Sequence, residues 1–252
     1  MMQNTVAQAV TSDKKYILTE KIDETPEVVV VKFKSADGHR LQFDSGMFVM
    51  IYGKDKEGKV YQQRAFSIAS LPGSEELELL VVKEHGGHQS HFVVSNIGDE
   101  FYLKRSPNGA LANGQFRFDP KQNTKITLIA GGTGVAPHLS ILRYIKEQNL
   151  GTDIVLLYSI KFPTEIIHKQ ELEDMSKNLK LKTIITVTRP QPGDGWTGQT
   201  GHIDANMLTK YAPDIKERTS YVCGPLAFVQ AVKAALVSLG VPANEIRADI
   251  WG

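Results

Sequence analysis

Near residue 120 the chain changes its hydrophobic grammar, and no single fold layer accommodates both halves. Before that point short β-rich runs follow one another between turn residues: VVVVKFK (28–34), MFVMIYG (47–53), RAFSIAS (64–70), LELLVVKEH (77–85) and EFYLKR (100–105). Many short strands at close spacing imply an antiparallel barrel or sandwich. One helical interruption is expected at 90–96, where Phe92, Val93 and Val94 follow a pair of glycines. Beyond residue 124 apolar strands alternate with amphipathic helices: KITLIAG (125–131), a helix from near Pro137, DIVLLYS (153–159), a helix over 164–177, LKTIITVT (181–188), SYVCG (220–224), a helix over 226–239 and IRADI (246–250). Strands that are apolar throughout and lie between helices belong to a parallel sheet covered on both faces. The expected organisation is a β domain at 1–120 and an α/β domain at 121–252, with the boundary in the polar segment 119–124.

Charge and cysteine content narrow the function classes. Lys and Arg number 29 against 28 Asp and Glu, so a net charge of +1 gives no global attraction to nucleic acid or an anionic membrane. Cys223 is the single cysteine, which excludes an internal disulfide and an iron-sulfur cluster held by four thiolates of this chain. The opening MMQNTVAQAVTSDKK lacks a basic segment followed by a sustained apolar core, and no long apolar run appears later. The reading is a cytoplasmic protein without membrane insertion.

Four local motifs carry chemistry. Gly131-Gly132-Thr133-Gly134-Val135-Ala136-Pro137 lies directly after one expected strand and before a helix. Small residues there let backbone N–H groups approach a pyrophosphate, and Pro137 suits a first helical turn; a tight turn without a ligand has the same composition. Tyr221-Val222-Cys223-Gly224-Pro225 ends another expected parallel strand, where ligands of open α/β sheets gather. In the first half, Arg64-Ala65-Phe66-Ser67 sets an anion-binding guanidinium and an aromatic face on one side of a strand, as a planar phosphorylated ligand requires and as an ordinary barrel surface also permits. His85-Gly86-Gly87-His88-Gln89-Ser90-His91 concentrates three of seven histidines. Only His88 and His91 have the spacing of a shared helical face, and no carboxylate or thiol follows closely, so the glycines weigh more than a metal site. They read as a second anion cradle entering a helix whose first turn holds Gln89 and Ser90.

In this order and at these separations, RAFS, GGHQS, GGTGVAP and YVCGP resemble the motifs of the ferredoxin-NADP reductase family of FAD-containing oxidoreductases, from about Tyr16 to the C-terminus. The resemblance implies an N-terminal antiparallel six-stranded FAD-binding barrel and a C-terminal parallel-sheet domain for NADP or NAD. Arg64 would hold the FAD pyrophosphate, with Ala65 between it and the ring-facing Phe66, and Ser67 would bond the flavin's central-ring nitrogen. Val81, Val82 and Lys83 match the next flavin-lining strand, and Gly86, Gly87, Gln89 and Ser90 the pyrophosphate loop, where His88 adds a hydrogen bond or partial charge. Gly131, Gly132, Thr133 and Gly134 would cradle the nicotinamide nucleotide, and Cys223, Gly224 and Pro225 match a turn whose thiol lies beside the nicotinamide. Phe228 replaces a familiar methionine, Asp249 falls at an often acidic position, and Trp251 matches an aromatic that covers the flavin.

Two departures accompany the resemblance. Ser106-Pro107-Asn108-Gly109-Ala110-Leu111 and then Gly114-Gln115-Phe116 replace a more compact family motif near the adenine end of FAD, and Lys161 and Arg189, rather than an early acidic residue, follow the second and third parallel strands. The latter pair inclines the reading toward NADPH. The implied activity passes hydride from NAD(P)H to bound FAD and electrons on to a small redox protein, such as a ferredoxin, a flavodoxin or an oxygenase component. Ser67, Cys223 and Trp251 stand closest to that chemistry. Two rivals remain open: a reductase of diffusible flavin, which RAFSIAS also resembles, and a subunit of a larger electron-transfer complex.

Overall fold

The computed structural model describes residues 12–54, 57–85 and 88–251, with the side chains of Gln62, His85, His88, Gln89 and Trp251 outside that description. Six antiparallel strands, with the two-residue strand Ala112–Asn113 paired to the third, form the first sheet: β1 (Lys14–Asp23), β2 (Val28–Ser35), β3 (Phe48–Lys54), β4 (Val60–Ser67), β5 (Glu76–Val82) and β6 (Glu100–Leu103). Their order is β4-β3-β6-β1-β2-β5, and a bridge between Ile68 and Leu79 joins the chain leaving β4 to β5, so the sheet curls back on itself. The VVVV run in β2 has a direct explanation. Val29, Val31 and Phe33 fill the inside of this sheet, whereas Val28 and Val30 join the core shared with the second half, so both faces of the strand are dry.

The second sheet is parallel: β7 (Lys125–Gly131), β8 (Asp153–Ile160), β9 (Leu181–Val187), β10 (Thr219–Pro225) and β11 (Ile246–Trp251), ordered β9-β8-β7-β10-β11. Helices α1 (Ala136–Glu147) and α2 (Lys169–Asn178) cover one face, packing Leu139, Leu142, Leu172 and Met175 onto Ile126, Leu128 and Leu156. Helices α3 (Ala205–Tyr211) and α4 (Leu226–Ser238) cover the other through Leu208, Val229, Val232 and Leu236. The short strand Gln199–Thr200 pairs only with Thr186 and Val187 of β9, leaving Leu181–Ile185 without a strand on that side among the described residues. Beside this open edge the Lys182 ammonium donates to the Tyr211 carbonyl at 3.2 Å and lies over the Tyr211 ring.

Several local expectations are corrected. The helix expected over 164–177 is two pieces: a single 3-10 turn at Pro163–Glu165, then α2, with His168 between them in the left-handed region at φ 49°. Neither β1 nor α3 was anticipated. The latter is a two-turn helix started by Asp204, whose carboxylate accepts from the Met207 N–H at 2.8 Å. The segment 119–124 is tied down: the Tyr221 hydroxyl donates to Asn123 at 2.7 Å, and the Asn123 amide donates to Thr219 at 3.0 Å. No helix among the described residues is long and apolar enough to cross a membrane.

Candidate functional site

The parallel sheet ends its strands at a cavity of about 670 Å³. Gly131, Gly132 and Thr133 from the end of β7, Ser159, Ile160 and Lys161 from β8, Thr188 after β9, and Pro225 and Phe228 at the start of α4 form its floor. Val28, Val82 and Glu84 of the first half close it from above. This is the crevice outside the carboxyl ends of parallel strands, the place where an open α/β sheet takes its ligand. Gly132 stands at φ +55°, so the 132–135 turn folds sharply onto β10. A Cβ on Gly134 would lie 2.3 Å from the Cys223 carbonyl oxygen, which restricts that position to glycine.

Across the interface, β4 delivers its last residue to the last strand of the parallel sheet. The Ser67 hydroxyl donates to Asp249 Oδ2 at 3.3 Å, and Asp249 stands opposite Cys223 in the β10–β11 ladder. Burial raises the Asp249 carboxyl, and the hydrogen bonds from Ser67 and the Ile250 N–H work against that rise. The Cys223 thiol is wholly buried; burial, and then the negative charge of Asp249, push it well above its ordinary range. Cys223 is therefore a neutral thiol, a compact filler and weak hydrogen-bond group rather than a thiolate nucleophile.

The motif residues fall in three groups. Gly131, Gly132, Thr133, Lys161, Pro225 and Val82 line the cavity, whereas Gly134, Cys223 and Gly224 lie buried directly behind it. In β4, Arg64 stands opposite Ile51 and Phe66 opposite Val49, so both lie on the inner side, at the open border of the sheet. Arg64 and Ala65 are exposed; Phe66 is half-buried with its ring edge-on to Phe92 at 5.3 Å. Val81 points into the first core, and Lys83 pairs with Asp23 at 2.7 Å. Arg189 is exposed, and its N–H donates to the Lys161 carbonyl at 2.9 Å, which sets the two cations on neighbouring strand ends.

The histidine-rich stretch is only partly described. Gly86 and Gly87 lie outside the described residues, as do the side chains of His88, Gln89 and Trp251. The flanking backbone runs antiparallel, with Glu84 opposite Gln89 and His85 opposite His88. Gln89 is thus in a short strand, not in a first helical turn, and Ser90 precedes the single turn His91–Val94 without a side-chain cap. A strand ladder on both sides of the glycines already satisfies the backbone that a longer helix would have used. Trp251 ends β11 opposite Pro225.

Four residues at or beside the cavity were not singled out from sequence. Phe228 was noted only as a substitution; its ring occupies the space that a Cβ on Gly224 or Gly131 would fill, 2.7 and 3.0 Å away. His202 lines the cavity together with Lys161 and Thr188. Glu165 lines it too, and its carboxylate accepts from the Lys161 N–H at 3.0 Å, so it braces the turn that carries the lysine. Arg143 lies behind the wall, between the two halves. Arg143 and His202 carried no local signal, because they acquire their neighbours only when distant parts of the chain meet.

Comparison with known proteins agrees with this geometry. Residues 128–234 match the family described as oxidoreductase NAD-binding domain. The chain is 30% identical over 241 residues to NADH-cytochrome b5 reductase 1 of Candida glabrata, covering 92% of this chain and 81% of that protein. It is 27% identical over 235 residues to the glycine betaine monooxygenase reductase subunit of Pseudomonas aeruginosa, covering 92% of this chain but 62% of the relative, so it spans about three fifths of that protein's length. A ferredoxin NADP+ reductase from Neisseria gonorrhoeae, solved with bound FAD and NADP, superposes with a TM-score of 0.78 at 19% identity, covering 94% of this chain and 98% of that one.

Proposed function

This chain belongs to the ferredoxin-NADP reductase family, and from that premise we propose that it is a flavoprotein oxidoreductase that carries electrons from NAD(P)H to a separate redox protein. The observation that carries the reading is the Ser67–Asp249 contact, which brings the end of the RAFS strand onto the parallel sheet beside Cys223 and the GGTG turn. When bound, FAD accepts hydride from the reduced nicotinamide and releases electrons to the acceptor. The residues present fit such a group: Gly134 admits the turn only because it lacks a Cβ, and Arg64 and Phe66 share the inner side of one exposed strand end.

In this reading residues 1–120 hold FAD and residues 121–252 hold the nicotinamide nucleotide. Arg64, with Gly86, Gly87, His88, Gln89 and Ser90, would neutralise the flavin's pyrophosphate, while Phe66, Val81, Val82 and Lys83 would flank its ring and side chain. Gly131 to Gly134 would bring backbone N–H groups to the nucleotide, and Trp251 would cover the ring from the far side. Ser67 has one proton, shared with Asp249 Oδ2. Burial raises the Asp249 carboxyl, and the buried Cys223 thiol beside it is pushed up too. Binding and alignment, with water kept out, are the protein's main contributions.

For the nucleotide, Lys161, Thr188 and His202 in the cavity lining, with Arg189 on the neighbouring strand end, support NADPH, since a 2′-phosphate needs cations and hydroxyl donors. On this proposal Lys161→Ala raises KM for NADPH by about tenfold and leaves that for NADH within about twofold; equal effects on both would remove the lysine from discrimination. The acceptor is a ferredoxin, a flavodoxin or an oxygenase component, and the setting is the cytoplasm, where reduced nicotinamide nucleotides are regenerated. A second reading, the reductase subunit of a multicomponent oxygenase or larger electron-transfer complex, is supported by the likeness to the glycine betaine monooxygenase reductase subunit. The deciding experiment is to desalt the purified protein, identify any retained flavin, and compare NADH and NADPH as donors to ferricyanide and candidate acceptors. A colourless protein that reduces none of them would sink the proposal.

A further inference from the structure

Arg143 reaches out of α1 to both halves at once. Its Nη1 donates to the Ala69 carbonyl at 2.9 Å and to Glu78 Oε1 at 2.8 Å; its Nε and Nη2 form a fork with Glu171 of α2 at 2.8 and 2.7 Å. Glu78 also meets His168 Nε2 at 3.1 Å, and the His168 N–H donates to Glu24 at 2.7 Å. Two side chains of the α/β half, Arg143 of α1 and His168 just before α2, therefore converge on one buried carboxylate of the β half. Burial alone would raise the Glu78 carboxyl; the His168 hydrogen bond and the Arg143 and His168 charges overcome it and hold the group down at about 2.

What this network grips matters more than its strength. Ala69 lies two residues beyond Ser67, and its N–H donates to the Glu78 carbonyl at 3.0 Å. Glu78 in turn lies on β5, the strand that continues to Val81 and Val82. One guanidinium thus holds the chain just beyond Ser67 and the first half of β5, on the two strands that carry the candidate flavin-facing residues. On the far side, Thr25 and Ile167, the chain neighbours of Glu24 and His168, line the cavity itself. A bidentate fork to Glu171 fixes the direction of Arg143, which a lysine at the same position would not reproduce.

We propose that Arg143 is a positioning residue for the transfer step: through the Ala69 carbonyl and Glu78 it sets how closely the Ser67 and Val82 strand ends face the nucleotide cavity. This rests on the function proposed above. A change confined to Arg143 leaves every candidate ligand contact in place and alters the spacing between the two binding faces. Misplacement on the scale of an ångström costs about a hundredfold in rate when two reacting groups must be held in contact.

The test compares Arg143→Met and Arg143→Lys with the wild-type full chain. Expected for Arg143→Met are a fall of at least about tenfold in the limiting rate of flavin reduction per bound flavin, with KM for the nucleotide within about threefold, and a weaker long-wavelength charge-transfer absorbance on mixing. Added guanidinium should restore part of the rate in Arg143→Ala. In flavin-free protein, amide hydrogen exchange should accelerate at 67–70 and 78–82 before it does so globally. Arg143→Lys, which retains a charge beside Glu78, should fall between the two and keeps the test open if the methionine variant does not fold. Unchanged rates and absorbance in Arg143→Lys and Arg143→Met, or exchange that rises uniformly with lost stability, would overturn the proposal. A wild type that holds no flavin defeats the function proposed above instead, and the exchange comparison still judges Arg143.

Discussion

At the residue scale, the pair with the most consequence is Ser67 and Asp249, 182 positions apart and joined at 3.3 Å. Their hydrogen bond lowers a carboxyl that burial raises, so removing the hydroxyl lets Asp249 rise further. Ser67→Ala is expected to retain FAD, to slow flavin reduction by about tenfold or more, and to move the carboxyl titration to higher pH. Stopped-flow reduction across pH, with infrared detection of the carboxyl, checks both; an unmoved rate and titration would leave the serine without a part in transfer. The serine was legible because it stands in a short local motif, as were Gly132, Gly134 and Cys223. Its partner's proximity was not. Asp249 attracted notice only by resemblance, since nothing local tells a chain that β4 and β11 will meet.

Elements show the same division. β2, β7, β8 and β10 were legible because runs such as VVVV and ITLIA are apolar on both sides, and both sides are buried here. β1 was not, because KKYILTEKID mixes charges into a strand whose lysines lie along partly wet borders. Helix α1 carries a second concealed feature. His138, in its first turn, is fully buried against Tyr221, with its ring nitrogen 3.1 Å from the Tyr221 carbonyl. Burial holds the imidazole down at about 3, against the small opposing effect of that bond. The folded form keeps it neutral while the unfolded chain takes up a proton below about pH 6.5, so stability falls as pH drops from there toward 3. His138→Gln should lose about 2 kcal/mol less than the wild type between pH 7 and pH 4.5 in urea titrations. Equal losses would place the acid sensitivity elsewhere.

At the scale of the whole molecule, one hydrophobic core runs from Val28, Val30 and Leu80 of the first sheet to α1 and α2 of the second half. The two halves should therefore unfold together near neutral pH. Glu78 adds to that coupling: its carboxyl is depressed to about 2 by His168 and Arg143 in spite of burial, so its contribution is complete above an ordinary carboxylate value of about 4.5 and fades as pH falls toward 2. Calorimetry is expected to give one transition at pH 7 that broadens or divides near pH 3, and Glu78→Gln should divide it already at neutral pH. A single sharp transition under all these conditions would leave the coupling to the shared core and remove Glu78 from it. The open border of the parallel sheet has a different kind of consequence, for how molecules behave toward each other in concentrated solution. Strand β9 has no neighbouring strand along Leu181–Ile185 on its outer side among the described residues, and Lys182 carries a charge there. Unprotected edges recruit other strands, and a lysine there repels a like edge. Lys182→Ile should leave the unfolding free energy within about 1 kcal/mol of the wild type while light scattering rises steeply with concentration. Colloidal stability would then hang on a single ammonium group remote from the chemistry.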